Sequence, residues 1–259
     1  MRLDKYLTEK AYADSRTRAE KLILSGNVAL DGKKIFKPSF DVNEGVEHTV
    51  EIVSVDRYVS RGGLKLEGAL DAFGLDVAGL DIIDVGASTG GFTDCLLQRG
   101  AKSVTALDSG HGQLHKSIRD DARVRVIEGY NARNINVADT GIFDGAVMDV
   151  SFISQTLILQ ALVGVIRDGG FYVGLIKPQF EAGRAALSKG GIVKSPFDRE
   201  AAVIKVLECA KSCNLRFSGL IKSPIEGGDG NIEYLAYFVK VADASMDITD
   251  RQKIKQICK

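Results

Sequence analysis

At 259 residues and with no net formal charge, the chain can hold one large domain or two smaller ones, and it is not a globally basic nucleic-acid binder. Its apolar fraction of 45% and charged fraction of 26% are those of an ordinary globular protein. The four cysteines, at 95, 209, 213 and 258, make no Cys-x-x-Cys pair and do not cluster with the three histidines, so neither a metal site nor a disulfide framework is expected.

The opening Met1-Arg2-Leu3-Asp4-Lys5 has no apolar signal core, and no apolar run approaches bilayer length. A soluble, cytoplasmic protein is therefore expected. Residues 1–57 read as a small unit of their own. Arg2–Leu7 begins as an amphipathic helix. Ser15 is placed to cap a second helix, Arg16–Leu24, and Gly26 to stop it. Asn27–Leu30 reads as a strand, Asp31-Gly32 as a tight turn, Lys33–Ile35 as its return, and Glu47–Val53 as a closing strand. Charge is uneven: residues 1–40 hold nine Lys/Arg against five Asp/Glu, and residues 41–57 one against five. Arg16, Arg18 and Lys21 share neighbouring helical turns, and Lys33, Lys34 and Lys37 follow the hairpin. Such a face suits phosphate contact, although charge alone describes a solvated helix face equally well.

Residues 58–63, after Arg57 and with Arg61 and two glycines, read as a flexible basic linker. Leu64–Phe73 has helical spacing and ends at Gly74. Asp81–Val85 then reads as a strand, Gly86–Gly91 as a glycine-rich turn, and Phe92–Arg99 as a helix stopped by Gly100. Glycine is needed where backbone turns sharply and lies against a ligand. The order Asp-x-Gly-x-x-x-Gly-Gly departs from the dinucleotide fingerprint and is closer to the first motif of enzymes that use S-adenosylmethionine. The next strand, 103–108, ends on Asp108, about 20 residues past the turn, where a carboxylate can take both hydroxyls of a ribose.

Further strands are expected at 124–128, 143–149, 171–177, 217–222 and 233–241, with helices at 155–166 and 199–213. Their alternation predicts an α/β fold with a parallel sheet and right-handed crossovers. Segment 179–197 has no clear period and reads as a functional loop. The turn 226–231 is glycine-rich, and the polar tail from Asp243 receives no role. Ligands of such sheets bind beyond the carboxyl ends of the strands. Asp149 and Lys177 end two of those strands, Lys65 lies on the helix before the first, and Glu233 starts the last strand, at the same edge if that strand runs antiparallel as in methyltransferases of the class the turn resembles. The four are thus expected to converge, although each alone has a plain reading as a cap or surface charge.

Two resemblances follow from these strings. Arg-Leu-Asp-x-x-Leu, Ser-Arg-x-x-Ala-x-x-Leu-Ile-x-x-Gly-x-Val and Gly-Lys-x-x-x-Lys-Pro-Ser, all within the first fifty residues, resemble the S4 domain, which binds structured RNA. Lys65, Asp149, Lys177 and Glu233 resemble the tetrad of FtsJ-like ribose 2′-O-methyltransferases. Together with Ser60–Leu66, Asp84–Leu96, Asp149–Ser154 and Lys177–Gly183, they make the whole chain similar to the TlyA family, often called haemolysins. That resemblance implies a seven-stranded Rossmann-like class I methyltransferase sheet, last strand antiparallel, over 64–259, behind a small α+β S4-like domain. It implies S-adenosylmethionine as cofactor, 2′-O-methylation of cytidine in ribosomal RNA of one or both subunits, and a monomer with no membrane role. Gly86, Ser88, Gly90, Gly91 and Phe92 would line the methionine end of the cofactor and Asp108 its ribose, while Asn131 would meet the adenine or else serve packing or a turn. RNA contacts are implied at Arg2, Arg16, Arg18, Lys21, Lys33, Lys34, Arg57, Arg61, Phe180, Arg184 and Lys189, with Lys194 and Arg199 bordering the same site. Phe152 and Phe180 are candidates to stack on the target base, with core packing the favoured reading for Phe152. Lys177, crowded by Lys65 and held by Asp149 and Glu233, is expected to help remove or stabilise the proton of the attacking hydroxyl. The alternatives are a membrane-lytic protein, which needs a spanning or strongly amphipathic basic helix, and an RNA-binding protein with an inactive cofactor fold. A pseudouridine synthase, which also often carries an S4 domain, has no place for the Asp84–Phe92 motif.

Overall fold

The computed structural model describes residues 1–24, 27–52, 57–227, 230–242 and 251–259. The chain divides into two compact units, Met1–Arg57 and Tyr58–Lys259. In the first, α1 (Leu3–Glu9) and α2 (Arg16–Leu24) pack with a three-stranded antiparallel sheet, order β2-β1-β3, of β1 (Val28–Leu30), β2 (Lys33–Lys34) and β3 (Val50–Ile52). Leu3, Leu7, Ala19, Leu22, Ile23, Val28 and Val42 form its core. Ser15 Oγ accepts the Arg18 N–H at 3.2 Å and caps α2 as expected; the proposed stop at Gly26 lies outside the described residues.

The second unit opens with α3 (Gly62–Phe73), ended by Gly74 in the left-handed region at φ +60°. There follow β4 (Asp81–Val85), α4 (Gly91–Gln98), β5 (Ser103–Leu107), α5 (Lys116–Arg119), β6 (Val124–Ile127), α6 (Val137–Thr140), β7 (Phe143–Met148), α7 (Leu159–Val163), β8 (Ile166–Ile176), α8 (Pro178–Glu181), α9 (Pro196–Ser212), β9 (Leu215–Lys222), β10 (Tyr234–Lys240) and α10 (Arg251–Ile257). The strands form one seven-stranded sheet, β6-β5-β4-β7-β8-β10-β9. Only β10 runs against its neighbours, β8 and β9. Successive strand residues face opposite sides: Ile83, Met148, Tyr172 and Phe238 join one core with α7 and α9, and Ile82, Val147, Val173 and Leu235 join the other with α3 and α4.

The expected flexible linker is instead packed. Tyr58 is buried, the Val59 N–H donates to Asp94 Oδ2 at 2.7 Å, and a Cβ on Gly63 would lie 2.2 Å from the Tyr58 ring. The expected helix 155–166 is broken into a 3-10 turn, Gln155–Leu157, and the short α7. β8 begins five residues earlier than expected, because Ile166 already pairs with Phe143 before the ladder shifts register and resumes with Gly145 opposite Phe171. The tail contains α10, whose Ile254, with Cys258 beyond it, is buried in the sheet's core.

Candidate active site

The turn after β4 is shaped by contact with the end of β7. Gly86 has φ +84°, and a Cβ there would lie 2.6 Å from the Asp149 carbonyl oxygen. Only glycine fits both constraints. The Asp149 N–H donates to the Val85 carbonyl at 3.0 Å, so the pairing continues one residue past β7. Ser88, also left-handed at φ +47°, donates its N–H to Asp108 Oδ2 at 2.8 Å, and the Gly110 N–H reaches Asp108 Oδ1 at 2.8 Å. Two backbone donors thus fix this carboxylate beyond β5, leaving lone pairs on both oxygens for a diol.

Two cavities of about 280 and 450 Å³ adjoin across this turn, sharing Gly86, Ser88, Asp149 and Ser151. The smaller is lined also by Ser60, Arg61, Lys65, Gly91, Phe92 and Lys177. The larger is lined also by Asp108, Gln113, Tyr130, Asn131 and Phe152. Asn131 does a second job there, since its Oδ1 accepts the Arg133 N–H at 3.1 Å and caps a 3-10 turn. Gly90 lines neither cavity. It opens α4 at φ +98°, where a Cβ would lie 2.9 Å from Leu114 Cδ1. A Cβ on Gly91 would lie 2.2 Å from Ser60 Oγ and 2.9 Å from the Gly63 nitrogen, so its absence lets the starts of α3 and α4 meet.

The four expected ionisable residues meet as two ion pairs. The antiparallel register sets Tyr234 opposite Ile176, so Glu233 and Lys177 leave adjacent strands at one edge. Lys177 Nζ lies 2.6 Å from Asp149 Oδ1 and donates to Ser151 Oγ at 2.8 Å. Lys65 Nζ lies 2.6 Å from Glu233 Oε2. Glu233 was expected to hold Lys177; it holds Lys65, reaching back to α3, while Gln179 Nε2 approaches its other oxygen at 3.4 Å. Lys65 and Glu233 are buried.

Asp84 was not singled out, although it stands inside the motif. It is wholly buried, and its Oδ2 accepts the Thr93 hydroxyl at 2.6 Å. Its Oδ1 has no hydrogen-bond partner among the described residues. Burial, with smaller contributions from the charges of Asp149 and Asp108, pushes its carboxyl up to about 7. Ser151 and Gln179 were also missed as individuals. Both lie in the strings 149–154 and 177–183, whose likeness to a known family was the available signal.

Phe152 overturns the expectation of core packing. It is 92% exposed, with φ +64°, in the turn beyond β7. Its ring centroid is 5.3 Å from that of the half-buried Phe180, and Lys177 Nζ is 6.0 Å from the Phe180 centroid. Arg184, Lys189 and Lys194 are exposed on the segment that follows. Arg199 is not available to RNA: it is buried and donates to Tyr234 Oη at 3.1 Å and to the carbonyls of Lys194, Cys258 and Lys259. Arg61 is exposed on the rim of the smaller cavity.

In the first unit, Arg2 and Arg16 grip the buried Asp4, with nitrogens 2.8 and 3.0 Å from Oδ2, while about half of each arginine stays exposed. The guanidinium of Arg2, then that of Arg16, hold the Asp4 carboxyl well below the usual range. Lys21, Lys33, Lys34 and Arg57 are exposed, and Arg18 is half-buried.

An FtsJ-like methyltransferase family model matches residues 58–240, and an S4 domain model matches residues 1–48. A 16S/23S rRNA (cytidine-2'-O)-methyltransferase TlyA of Mycobacterium tuberculosis is 42% identical over 95% of this chain and 92% of its own. The chain belongs to the TlyA family of S4-bearing, FtsJ-like methyltransferases. Another relative in the family, Hemolysin A of Brachyspira hyodysenteriae, is 43% identical over 92% of this chain and all of its own. A solved structure from Streptococcus thermophilus, described as a hemolysin candidate, superposes with a TM-score of 0.78 at 41% identity, covering 100% of this chain and 94% of that one. The TlyA-type catalytic unit also shares its fold with a solved S-adenosylmethionine-dependent methyltransferase candidate from Listeria monocytogenes, at a TM-score of 0.52 and 14% identity over 70% of this chain and 99% of that one.

Proposed function

We propose that this TlyA-family protein transfers a methyl group from S-adenosylmethionine to a ribose 2′-hydroxyl of cytidine in ribosomal RNA. The observation that carries the reading is the meeting of Lys177, Asp149 and Lys65 on one cavity that adjoins a second, Asp108-bearing one. The cofactor's parts fit this pair of cavities. Asp108 would take the ribose hydroxyls, Tyr130 and Asn131 border the place for the base, and Gly86, Ser88 and Gly91 admit the methionine end. When bound, the cofactor supplies an electrophilic methyl on a sulfonium. Lys177 Nζ is placed to help remove or stabilise the proton lost by the attacking hydroxyl, and the Asp149 carboxylate at 2.6 Å balances the charge of its ammonium. Lys65, fixed by Glu233, supplies a second positive charge beside the developing alkoxide. Phe152 and Phe180 offer aromatic faces to a base drawn out of its stack. Arg16, Lys21, Lys33 and Lys34 of the S4 unit, with Arg61, Arg184 and Lys189, hold phosphates. Such a substrate places the enzyme in the cytoplasm. Among the described residues no helix is long and apolar enough to cross a membrane.

The test is Lys177→Ala with purified ribosomal subunits and labelled S-adenosylmethionine. Transfer is expected to fall by about 100-fold or more while cofactor binding by calorimetry is kept. Near-normal transfer would refute the assignment.

A further inference from the structure

Glu181 is a buried carboxylate that lines neither cavity. It ends α8, the short helix that starts directly after Lys177. Its Oε1 accepts the Gln155 N–H at 2.8 Å, and its Oε2 accepts the Ser154 hydroxyl. Gln155 is anchored in turn: its Nε2 donates to the Leu175 carbonyl of β8, and its Oε1 accepts the Tyr172 hydroxyl at 2.8 Å. On the other side, Lys205 of α9 donates to the Glu181 carbonyl at 2.9 Å and lies 3.6 Å from Oε2. Glu181 therefore ties α8 and α9 to the far end of the turn 149–155, and Gln155 ties that end to β8.

That turn needs a tether. Phe152 holds a left-handed backbone, at φ +64°, that a bulky residue adopts only under constraint. Its ring is almost wholly exposed, so burial of the side chain does not supply the constraint. The hydrogen bonds from Ser154 and Gln155 to Glu181 come two and three residues later, where they fix the path of the chain out of the strained residue. The same carboxylate sits one residue from Phe180, the partner ring of Phe152.

We propose that Glu181 is a positioning residue that braces the strained turn and so holds Phe152 against the target base. The proposal rests on the functional reading above for its effect on RNA, but not for its effect on the turn. Glu181→Gln keeps the brace, because the amide oxygen accepts the Gln155 N–H and the amide nitrogen donates to Ser154 Oγ. Glu181→Ala loses both bonds.

Amide hydrogen exchange on Glu181→Ala is expected to rise at residues 150–155 and to stay unchanged in β4. Unchanged exchange in the turn would overturn the brace, whatever the substrate proves to be. With ribosomal subunits, kcat/KM for RNA should fall on the order of 10- to 100-fold, the scale of an ångström-level misplacement, with cofactor affinity unchanged. Glu181→Gln should recover most of the loss, and Phe152→Ala/Glu181→Ala should be no slower than the slower single variant. Additive losses, or a glutamine variant as poor as the alanine one, would overturn the proposal. If Glu181→Ala fails to fold, Ser154→Ala, which removes one of the two bonds, carries the same exchange test. A wild-type protein that methylates no ribosomal RNA would sink the functional reading while leaving the exchange result standing.

Discussion

Replacing Gly86 with alanine tests whether the turn after β4 and the Asp149 carboxylate are one mechanical unit. Two penalties apply. The residue sits at φ +84°, and a side chain in the left-handed region costs about 1–2 kcal/mol. The new Cβ would also lie 2.6 Å from the Asp149 carbonyl oxygen, 3.0 Å from its carbon and 3.1 Å from Val150 Cγ1. Forcing an extra methyl into packed surroundings costs about 1–3 kcal/mol. Together they predict a loss of about 2–5 kcal/mol, a large part of a typical domain's stability. Gly74 is the control. It too is left-handed, at φ +60°, but a Cβ there meets nothing within 4 Å, so Gly74→Ala should cost only the backbone share. Urea unfolding of both variants isolates the clash as the difference. Relief of that clash must push the Asp149 backbone away from β4 and carry with it the carboxylate that lies 2.6 Å from Lys177. Methyl transfer by folded Gly86→Ala should then fall on the order of 100-fold, with Gly74→Ala near wild type. Equal destabilisation of the two variants, or full activity in Gly86→Ala, would refute the reasoning.

Asp84 makes stability depend on pH. In the folded chain it keeps its proton up to about pH 7, whereas the ordinary value is 3.8. Folding therefore binds a proton in that window, and stability declines as pH rises from about 4 to 7, by on the order of a few kcal/mol. Asp84→Asn should flatten this decline; urea midpoints for the two proteins that run parallel between pH 5 and 8 would count against it. Arg199→Ala should cost about 3 kcal/mol, because it strands buried carbonyls that the guanidinium now satisfies, and it should leave RNA affinity of the folded protein intact. A selective loss of RNA binding with stability unchanged would return Arg199 to the RNA surface.

Much of this molecule can be read from local pattern. Ile82 and Ile83 alternate between two cores because strand side chains have a period of two. The glycines at 86 and 91 announce a turn in close contact, since only they leave that space open. The strand-end rule brings Asp149 and Lys177 to one edge, because parallel strands in an open sheet end together; Glu233 joins them only through the reversed last strand that the family resemblance implies. Pairing is another matter. That Glu233 holds Lys65 while Asp149 holds Lys177 depends on side-chain reach across α3, β7, β8 and β10, elements far apart in the chain. The same is true of Arg199, whose charge suggested RNA and whose surroundings make it the anchor of α10. Phe152 shows the limit most plainly: composition sends a phenylalanine to the core, and a turn pinned by Glu181 turns it out to solvent. Periodicity and turn chemistry are properties of neighbouring residues, so the sequence carries them openly. Which charge faces which, and which ring faces water, is a property of distances between elements, and those exist only once the chain has folded.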